Sequence, residues 1–124
     1  MTDKSVLIIE DEIILQDVYK FVLSSQGFTV HTANNGRDGI HQLKLHMPSV
    51  VLIDIFMPVM DGKEFLRNVD TSEYPNTKFI VYSNLTDDAV QHEMVELGAD
   101  KVILKSTMTP RDLIALVTEH NDSL

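Results

Sequence analysis

Acidic residues follow two of the short apolar segments of this chain, in positions where they could act together. Glu10-Asp11-Glu12 comes directly after residues 6–9, and Asp54 comes directly after residues 50–53. Carboxylates that are held close together repel one another, so the arrangement requires a cation among them or raised pKa values. A divalent cation bound by hard oxygen ligands resolves this repulsion. The pattern therefore favours a divalent-cation site.

A hydroxyl and an amine follow two further apolar segments. Ser83 comes after residues 79–82, and Lys105 comes after residues 102–104, whereas the second segment ends in the chemically plain His31-Thr32. Taken singly, each reactive residue has an ordinary explanation, as a turn former, an acid at a helix start, a satisfied hydroxyl or a solvated lysine. Their coincidence at four segment ends favours one functional site.

Five short apolar segments rich in β-branched residues alternate with five segments of helical spacing. The strands are predicted at residues 6–9, 28–30, 50–53, 79–82 and 102–104. The helices are predicted from the apolar positions Ile14, Val18, Phe21 and Val22; Ile40, Leu43 and Met47; Phe65, Leu66 and Val69; Val90, Met94 and Leu97; and Leu113, Leu116 and Val117. Because the strand segments lack polar alternation, they indicate a parallel sheet covered on both faces. We therefore predict a doubly wound α/β fold whose reactive site lies at the carboxyl ends of the strands.

Turn and cap residues agree with this division. Gly27 and Gly98 follow the first and fourth helices, where a left-handed residue closes a helix, and Pro48 stops the second helix. Thr109-Pro110-Arg111-Asp112 supplies an N-cap, a proline at the first helical position and an acid in the first turn of the last helix.

Composition excludes several kinds of function. The 124 residues carry 19 Asp and Glu against 10 Lys and Arg, a formal net charge of −9, and no Cys. Disulfides, thiolate metal sites and a cysteine nucleophile are excluded, and the acidic balance argues against direct nucleic-acid binding. No apolar segment approaches the roughly 20 residues that span a bilayer, and we expect the N-terminus not to be a signal peptide. We expect one cytoplasmic domain over residues 1–124, without membrane insertion.

Residues 6–12, 54–62, 79–83 and 97–105 carry a recognisable set of motifs, of which D-x-x-M-P-x-M-D-G at 54–62 is the most specific. With them the chain resembles the receiver domains of two-component response regulators. The resemblance implies a flavodoxin-like three-layer sandwich with five helices and a parallel sheet of strand order 2-1-3-4-5. It also implies a phosphoacceptor signalling domain, not an enzyme, that receives its phosphoryl group from a sensor histidine kinase or a histidine phosphotransfer protein.

The resemblance assigns catalytic roles to three residues. Asp54 is expected to be the phosphoacceptor, Lys105 to pair with Asp54 and then with a phosphoryl oxygen, and Ser83 to donate its hydroxyl to another phosphoryl oxygen. Such transfer depends mainly on charge neutralisation. Phosphorylation is then expected to move the loop after the fourth strand and to reshape the surface of helix 4, strand 5 and helix 5. The resemblance also implies that a downstream protein reads this surface, and we expect the chain to be a monomer or a weak phosphorylation-dependent dimer.

The expected cofactor is Mg²⁺. By the same resemblance its ligands are Asp11, Asp54, Glu10 directly or through water, and the backbone carbonyl of Phe56.

Two other protein classes with a similar sheet or a similar acidic site are excluded by the sequence. A phosphatase of the haloacid dehalogenase type needs a second Asp where Phe56 stands. A flavodoxin needs a hydroxyl-rich phosphate loop after the first strand, where this chain has three acids.

Two positions depart from the family pattern. Val102, three residues before Lys105, replaces an aromatic that usually moves inward on activation, and Tyr82 cannot be assumed to replace it because it belongs to the fourth strand. Ser106 follows Lys105 where proline is usual. These departures leave open an alternative, a receiver-like interaction module that signals without phosphorylation. A receiver excised from a larger regulator is also possible from the sequence.

Two apolar residues bear on how long the phosphoryl group persists. Phe56 and Leu85 occupy the positions that, in this family, flank the hydrolytic water. Neither side chain can orient a water by hydrogen bonding, so we predict slow self-dephosphorylation. Ile14 belongs to a run, Ile13-Ile14-Leu15, that is more apolar than one buried helix face needs, and Met108 falls in a loop near the reactive edge. They either fill the core or belong to the docking patch for the phosphoryl donor.

Overall fold

A computed structural model of the chain describes residues 4–84 and 88–122. Five parallel strands form one sheet in the order β2-β1-β3-β4-β5. They are β1 Ser5–Ile9, β2 Thr29–Ala33, β3 Val50–Asp54, β4 Lys78–Ser83 and β5 Lys101–Leu104. The helices are α1 Ile13–Ser24, α2 Gly36–His46, α3 Gly62–Arg67, α4 Asp88–Glu96 and α5 Pro110–Asp122, with short 3₁₀ turns at Thr71–Glu73 and Lys105–Thr107. The predicted doubly wound fold and its strand order are confirmed.

Both faces of the sheet are buried, as the unbroken apolar strands require. Alternate strand residues point to opposite faces, so each strand contributes to two separate cores. One core contains Leu7, Val51, Ile53, Phe79 and Val81, with Leu43, Phe65 and Met94 from the helices. The other contains Val6, Ile8, Leu52, Ile80 and Tyr82, with Tyr19, Leu23, Leu113 and Val117. The register aligns Asp54 with Tyr82 and Ser83 with Leu104, which brings the ends of β3, β4 and β5 to one edge of the sheet.

The structure corrects two details of the sequence prediction. Strand β2 covers Thr29–Ala33, so His31 and Thr32 lie inside the strand and do not end it. This edge strand pairs only with β1 and is only partly buried, which allows polar residues in its interior. Helix α1 is rotated relative to the prediction. Ile14 is 82% exposed and Phe21 is 76% exposed, whereas Gln16, Tyr19 and Leu23 are buried.

The predicted end signals are confirmed. Gly27 and Gly98 have φ values of 92° and 116°, in the left-handed region that favours glycine. At the start of α5, the Asp112 N–H donates to Thr109 Oγ1 at 3.1 Å, and the Thr109 N–H donates to Asp112 Oδ2 at 3.0 Å. This reciprocal pair is a capping box. Within residues 4–84 and 88–122, no helix combines the length and the apolarity that crossing a bilayer requires.

Candidate functional site

Three acidic side chains meet at the carboxyl edge of the sheet. Asp54 is the last residue of β3, and Glu10 and Asp11 directly follow β1, the strand that pairs with β3. One carboxylate oxygen from each residue lies within 4.8 Å of the others. Glu10 is fully buried, Asp54 is 6% exposed and Asp11 is half-buried. The structure therefore brings together the side-chain acids that the sequence placed in one cation site.

Lys105 supplies the positive charge of this edge. It is the first residue after β5, and its side chain reaches across the end of β4. The Nζ atom lies 2.9 Å from Glu10 Oε1, 3.1 Å from Asp54 Oδ2 and 3.7 Å from Glu12 Oε2. The lysine side chain is only 8% exposed. One buried cation thus faces several carboxylates, and the cluster keeps an excess of negative charge.

The pKa values of the cluster reflect this imbalance. Burial raises the pKa of Asp54 above its ordinary value of 3.8 and repulsion from Glu10 raises it further, although the hydrogen bond from Lys105 acts in the opposite direction. Burial also raises the pKa of Asp11, as does its contact with the Glu10 side chain. Burial pulls the pKa of Lys105 down, but hydrogen bonds to Glu10 and Asp54 outweigh this and raise it above its ordinary value. An added cation would relieve the repulsion between the acids, so these residues fit a hard divalent ion.

Tyr82 contacts the cluster through a hydrogen bond that the sequence did not predict. Its hydroxyl donates to Glu10 Oε1 at 2.9 Å, and its ring lies 5.3 Å from the ammonium of Lys105. The side chain is fully buried, and burial raises the pKa of the hydroxyl well above its ordinary value, so the group stays a donor. The only sequence signal was a polar aromatic in an otherwise apolar strand.

Gln16 is a second contributor that the sequence did not reveal. Its side-chain amide donates to the Glu10 carbonyl at 2.9 Å, to the Ala33 carbonyl at 3.2 Å and to Asn34 Oδ1 at 3.0 Å. These bonds tie the loop that carries the acids to the end of β2. They also satisfy the amide, which explains why a polar residue of α1 can face the core.

The loop after Asp54 is fixed by its backbone. The Phe56 N–H donates to Asp54 Oδ1 at 3.2 Å, and the Gly62 N–H donates to the Ile55 carbonyl at 2.8 Å. A Cβ atom on Gly62 would lie 2.6 Å from the Asp54 carbonyl oxygen, so this close approach requires glycine. Asp61 caps α3 by accepting from the Glu64 N–H at 2.9 Å. These contacts account for the Asp-Gly pair of the motif.

The remaining predicted residues fall in several places. Ser83 is fully buried at the end of β4, which pairs with the strand of Asp54, and Phe56, two residues after Asp54, is 59% exposed. Val102 is half-buried and packs against the core that contains Phe65 and Phe79. Ser106 is exposed within the 3₁₀ turn that begins at Lys105. Leu85 lies outside the described residues.

This geometry can be compared with known proteins. A family model described as the response regulator receiver domain matches residues 6–118. The chain belongs to the receiver-domain family. Receiver domains are the phosphoacceptor modules of two-component signalling, and they interact with histidine kinases or phosphotransfer proteins and with downstream effectors.

Individual relatives agree with this membership. The chain is 33% identical over 103 residues to a probable C4-dicarboxylate response regulator, DctR, of Priestia megaterium, covering 82% of this chain and 45% of that protein. It is 32% identical over 117 residues to the probable transcriptional regulator ycf27 of Guillardia theta, covering 94% of this chain and 44% of that protein. The chain therefore spans less than half the length of these two relatives.

A solved structure shows the same architecture. The crystal structure of a CheY-like response regulator receiver domain protein from Methanospirillum hungatei matches with a TM-score of 0.89 at 28% identity. The match covers 97% of this chain and 94% of that one. The likeness therefore extends over nearly the whole receiver fold.

Proposed function

We propose that Asp54 accepts a phosphoryl group from a phosphohistidine on a sensor histidine kinase or a histidine phosphotransfer protein, in a Mg²⁺-dependent reaction. The observation that carries this proposal is the position of Lys105, whose ammonium is shared between Asp54 and Glu10 at 3.1 Å and 2.9 Å. A lysine held on the acceptor carboxylate is ready to pair with a phosphoryl oxygen once a carboxylate oxygen is phosphorylated. Family membership over residues 6–118 supports the same role.

In the proposed transfer, an oxygen of Asp54 attacks phosphorus and forms an O–P bond as the P–N bond to the donor histidine breaks. The electron pair of the broken bond stays on the imidazole nitrogen, which takes up a proton. The charge on the phosphoryl oxygens is neutralised by Lys105 on one side, and the Ser83 hydroxyl donates to another oxygen. Catalysis by this chain is thus mainly electrostatic and positional.

The residues proposed to hold Mg²⁺ are Asp11, Glu10, Asp54 and the backbone carbonyl of Phe56. Three of them already place carboxylate oxygens within 4.8 Å of one another. When bound, the ion supplies positive charge that brings phosphoryl oxygens and the acceptor carboxylate together despite their like charges. The chain's own part is to fix the ligands. Gln16 does so for the loop at Glu10 through its bond to the Glu10 carbonyl.

The signal is proposed to leave through protein contact. Phosphorylation would alter the surface formed by α4, β5 and α5 and present it to a downstream protein, with the chain cytoplasmic and monomeric or weakly dimeric. Residues 1–124 would act as one receiver domain, and self-catalysed phosphoryl transfer with slow loss of the group would be its only chemistry, so the chain is not an enzyme. Neither nucleic acid nor the membrane is a proposed partner.

Docking of the phosphoryl donor is proposed on the side of the sheet that carries α1 and α5. Ile14 is 82% exposed and lines a shallow groove with Ile13, Leu15 and Val18. Met108 is half-buried beside Leu116 of α5. An exposed apolar patch on the helix that follows the acidic loop suits a helix of a donor protein.

Beryllofluoride tests this function, because it imitates a phosphoryl group on an aspartate. With Mg²⁺ present, we expect it to shift backbone amide resonances of the wild-type chain around Asp54 and to raise its unfolding temperature. Asp54→Asn should show neither effect. If wild type fails to respond, the proposal is wrong and the chain is better explained as an interaction module that signals without phosphorylation.

A further inference from the structure

The Tyr82 side chain contacts the acidic cluster from within the buried core. It belongs to β4, in register with Asp54 of β3, and is fully buried on the side of the sheet that carries α1 and α5. Its ring packs edge-on against Tyr19 of α1, with 5.9 Å between the ring centroids and an interplanar angle of 68°. From this position the hydroxyl reaches Glu10 Oε1 at 2.9 Å.

The two carboxylate oxygens of Glu10 accept hydrogen bonds from different donors. Oε1 accepts from the Tyr82 hydroxyl and from Lys105 Nζ, each at 2.9 Å. Oε2 accepts from the Glu12 N–H at 3.0 Å. Each carboxylate oxygen offers about two acceptor sites. Oε1 is therefore fully used by these donors, and Oε2 keeps acceptor capacity for a cation.

We propose that Tyr82 is a positioning residue, whose hydroxyl holds Glu10 with one oxygen on Lys105 and the other presented to the cation that Asp11 and Asp54 share. This inference rests on the proposed Mg²⁺-dependent function and gives Tyr82 a role that the resemblance to receiver domains did not assign. The partners that orient metal-binding groups commonly change metal affinity when they are removed.

Packing alone does not account for a tyrosine at this place. The strand residues that share this core with Tyr82 are aliphatic: Val6, Ile8, Val50, Leu52 and Ile80. A phenylalanine would fill the same space and keep the edge contact with Tyr19. Only the hydroxyl reaches Glu10, which is fully buried and cannot exchange this donor for bulk water.

The test compares Tyr82→Phe with the matched control Tyr19→Phe. Tyr19 belongs to the same aromatic pair, and among the described hydrogen bonds none joins its hydroxyl to Glu10. The Mg²⁺ dissociation constant of the unphosphorylated chain is measured by calorimetric titration. It is checked by the rise in unfolding temperature that Mg²⁺ causes in each variant relative to its own metal-free state, which corrects for any change in basal stability.

We expect Tyr82→Phe to weaken Mg²⁺ binding about tenfold and Tyr19→Phe to leave it unchanged. In a Glu10→Gln background, Tyr82→Phe should have no further effect, because the hydroxyl acts through that carboxylate. Unchanged or tighter binding in Tyr82→Phe overturns the inference while the proposed function stands, and so does equal weakening by both substitutions. If wild type itself fails to bind Mg²⁺, the proposed function and the inference both fall.

Discussion

The ammonium of Lys105 lies 3.1 Å from Asp54 Oδ2, although the two residues are 51 positions apart in the chain. Asp54 ends β3 and Lys105 follows β5, and these two strands are not neighbours in the sheet. Strand β4 lies between them, and the lysine crosses its end above the Tyr82 ring. The same amine also binds Glu10 at 2.9 Å. The ammonium of Lys105, which follows β5, therefore connects the end of that strand to the ends of β1 and β3 through Glu10 and Asp54.

Removal of this cation should affect both stability and chemistry. In Lys105→Gln, Glu10 and Asp54 stay buried without a counter-charge, so we expect the free energy of unfolding to fall by roughly 2–3 kcal/mol without Mg²⁺. Phosphorylation of Asp54 should slow by about a hundredfold, because a charge-stabilising donor is lost. Urea denaturation and the rate of phosphoryl uptake measure the two effects. Lys101→Gln, at the opposite end of β5, is the control, and an equal loss in that variant would contradict the assignment.

The raised pKa of Asp54 predicts a pH dependence of stability. Because the folded chain binds the Asp54 proton more readily than the unfolded chain, this group disfavours folding above its folded pKa. The penalty disappears as the pH falls through that pKa and below 3.8. Asp54→Asn should therefore be more stable than wild type at pH 7 without Mg²⁺, by about 1 kcal/mol, and this advantage should shrink toward pH 4.

Urea midpoints in EDTA at pH 7.0, 5.5 and 4.0 measure this difference. Comparing the two proteins is necessary because other acids act in the opposite sense. The hydrogen bond from the Thr109 N–H lowers the pKa of Asp112, whose contribution to stability is lost as the pH falls. A less stable Asp54→Asn at pH 7 would show that the carboxylate is not under repulsion.

The lifetime of the phosphorylated chain should be long. Phe56 lies two residues after Asp54 and is 59% exposed, and its side chain offers no hydrogen bond to an attacking water. We expect the phosphoryl group to persist well beyond seconds in the presence of Mg²⁺, and Phe56→Asn to speed its loss at least about tenfold. Decay of radiolabelled protein measures both. A lifetime of seconds in wild type, or no acceleration in the variant, would refute the prediction.

The docking patch can be tested by trimming its apolar side chains. Ile14→Ala and Met108→Ala should each raise the donor concentration required for half-maximal phosphorylation, while phosphorylation by a small-molecule phosphodonor stays unchanged. Leu45→Ala is a matched control, since Leu45 is 64% exposed but belongs to α2 on the other side of the sheet. Unchanged transfer from the protein donor in both patch variants would show that these residues only fill gaps.

Val59 provides a prediction about stability alone. Its φ of 69° lies in the left-handed region, which a β-branched residue adopts only with strain, and its side chain is 66% exposed. Asparagine tolerates this conformation, so Val59→Asn should raise the free energy of unfolding by about 1 kcal/mol. Chemical denaturation gives the value. No gain, or a loss, would show that the valine contributes contacts that outweigh its strain.

The acidic edge was predictable because parallel strands align their carboxyl ends, whereas the strand order was implied by the resemblance to receiver domains. Asp54, Ser83 and Lys105 could therefore be placed together from their position after apolar segments alone. Tyr82 could not, because its bond to Glu10 joins residues 72 positions apart and depends on the side-chain direction set by register. A strand residue points to one face or the other, and short apolar segments do not fix which.

The orientation of α1 was missed for a related reason. Counting apolar residues favoured the face with Ile14 and Phe21, but the core takes Gln16 because three acceptors satisfy its amide. Those acceptors lie on the β1 loop and at the end of β2, so they exist only once the sheet has formed. The solvent-facing apolar stripe is a departure from simple amphipathicity, and it lies on the face proposed for donor docking.

The hydroxyl of Tyr82 on Glu10 also has an optical consequence. The chain contains no tryptophan and three tyrosines, so its ultraviolet emission comes from tyrosine alone. A carboxylate that accepts from a tyrosine hydroxyl quenches that ring, and Tyr82 is in this position at the edge of the site. Any event that draws Glu10 away from Tyr82 therefore alters the chain's own emission. Tyrosine fluorescence thus reports, without an added label, on the hydrogen bond between Tyr82 and Glu10.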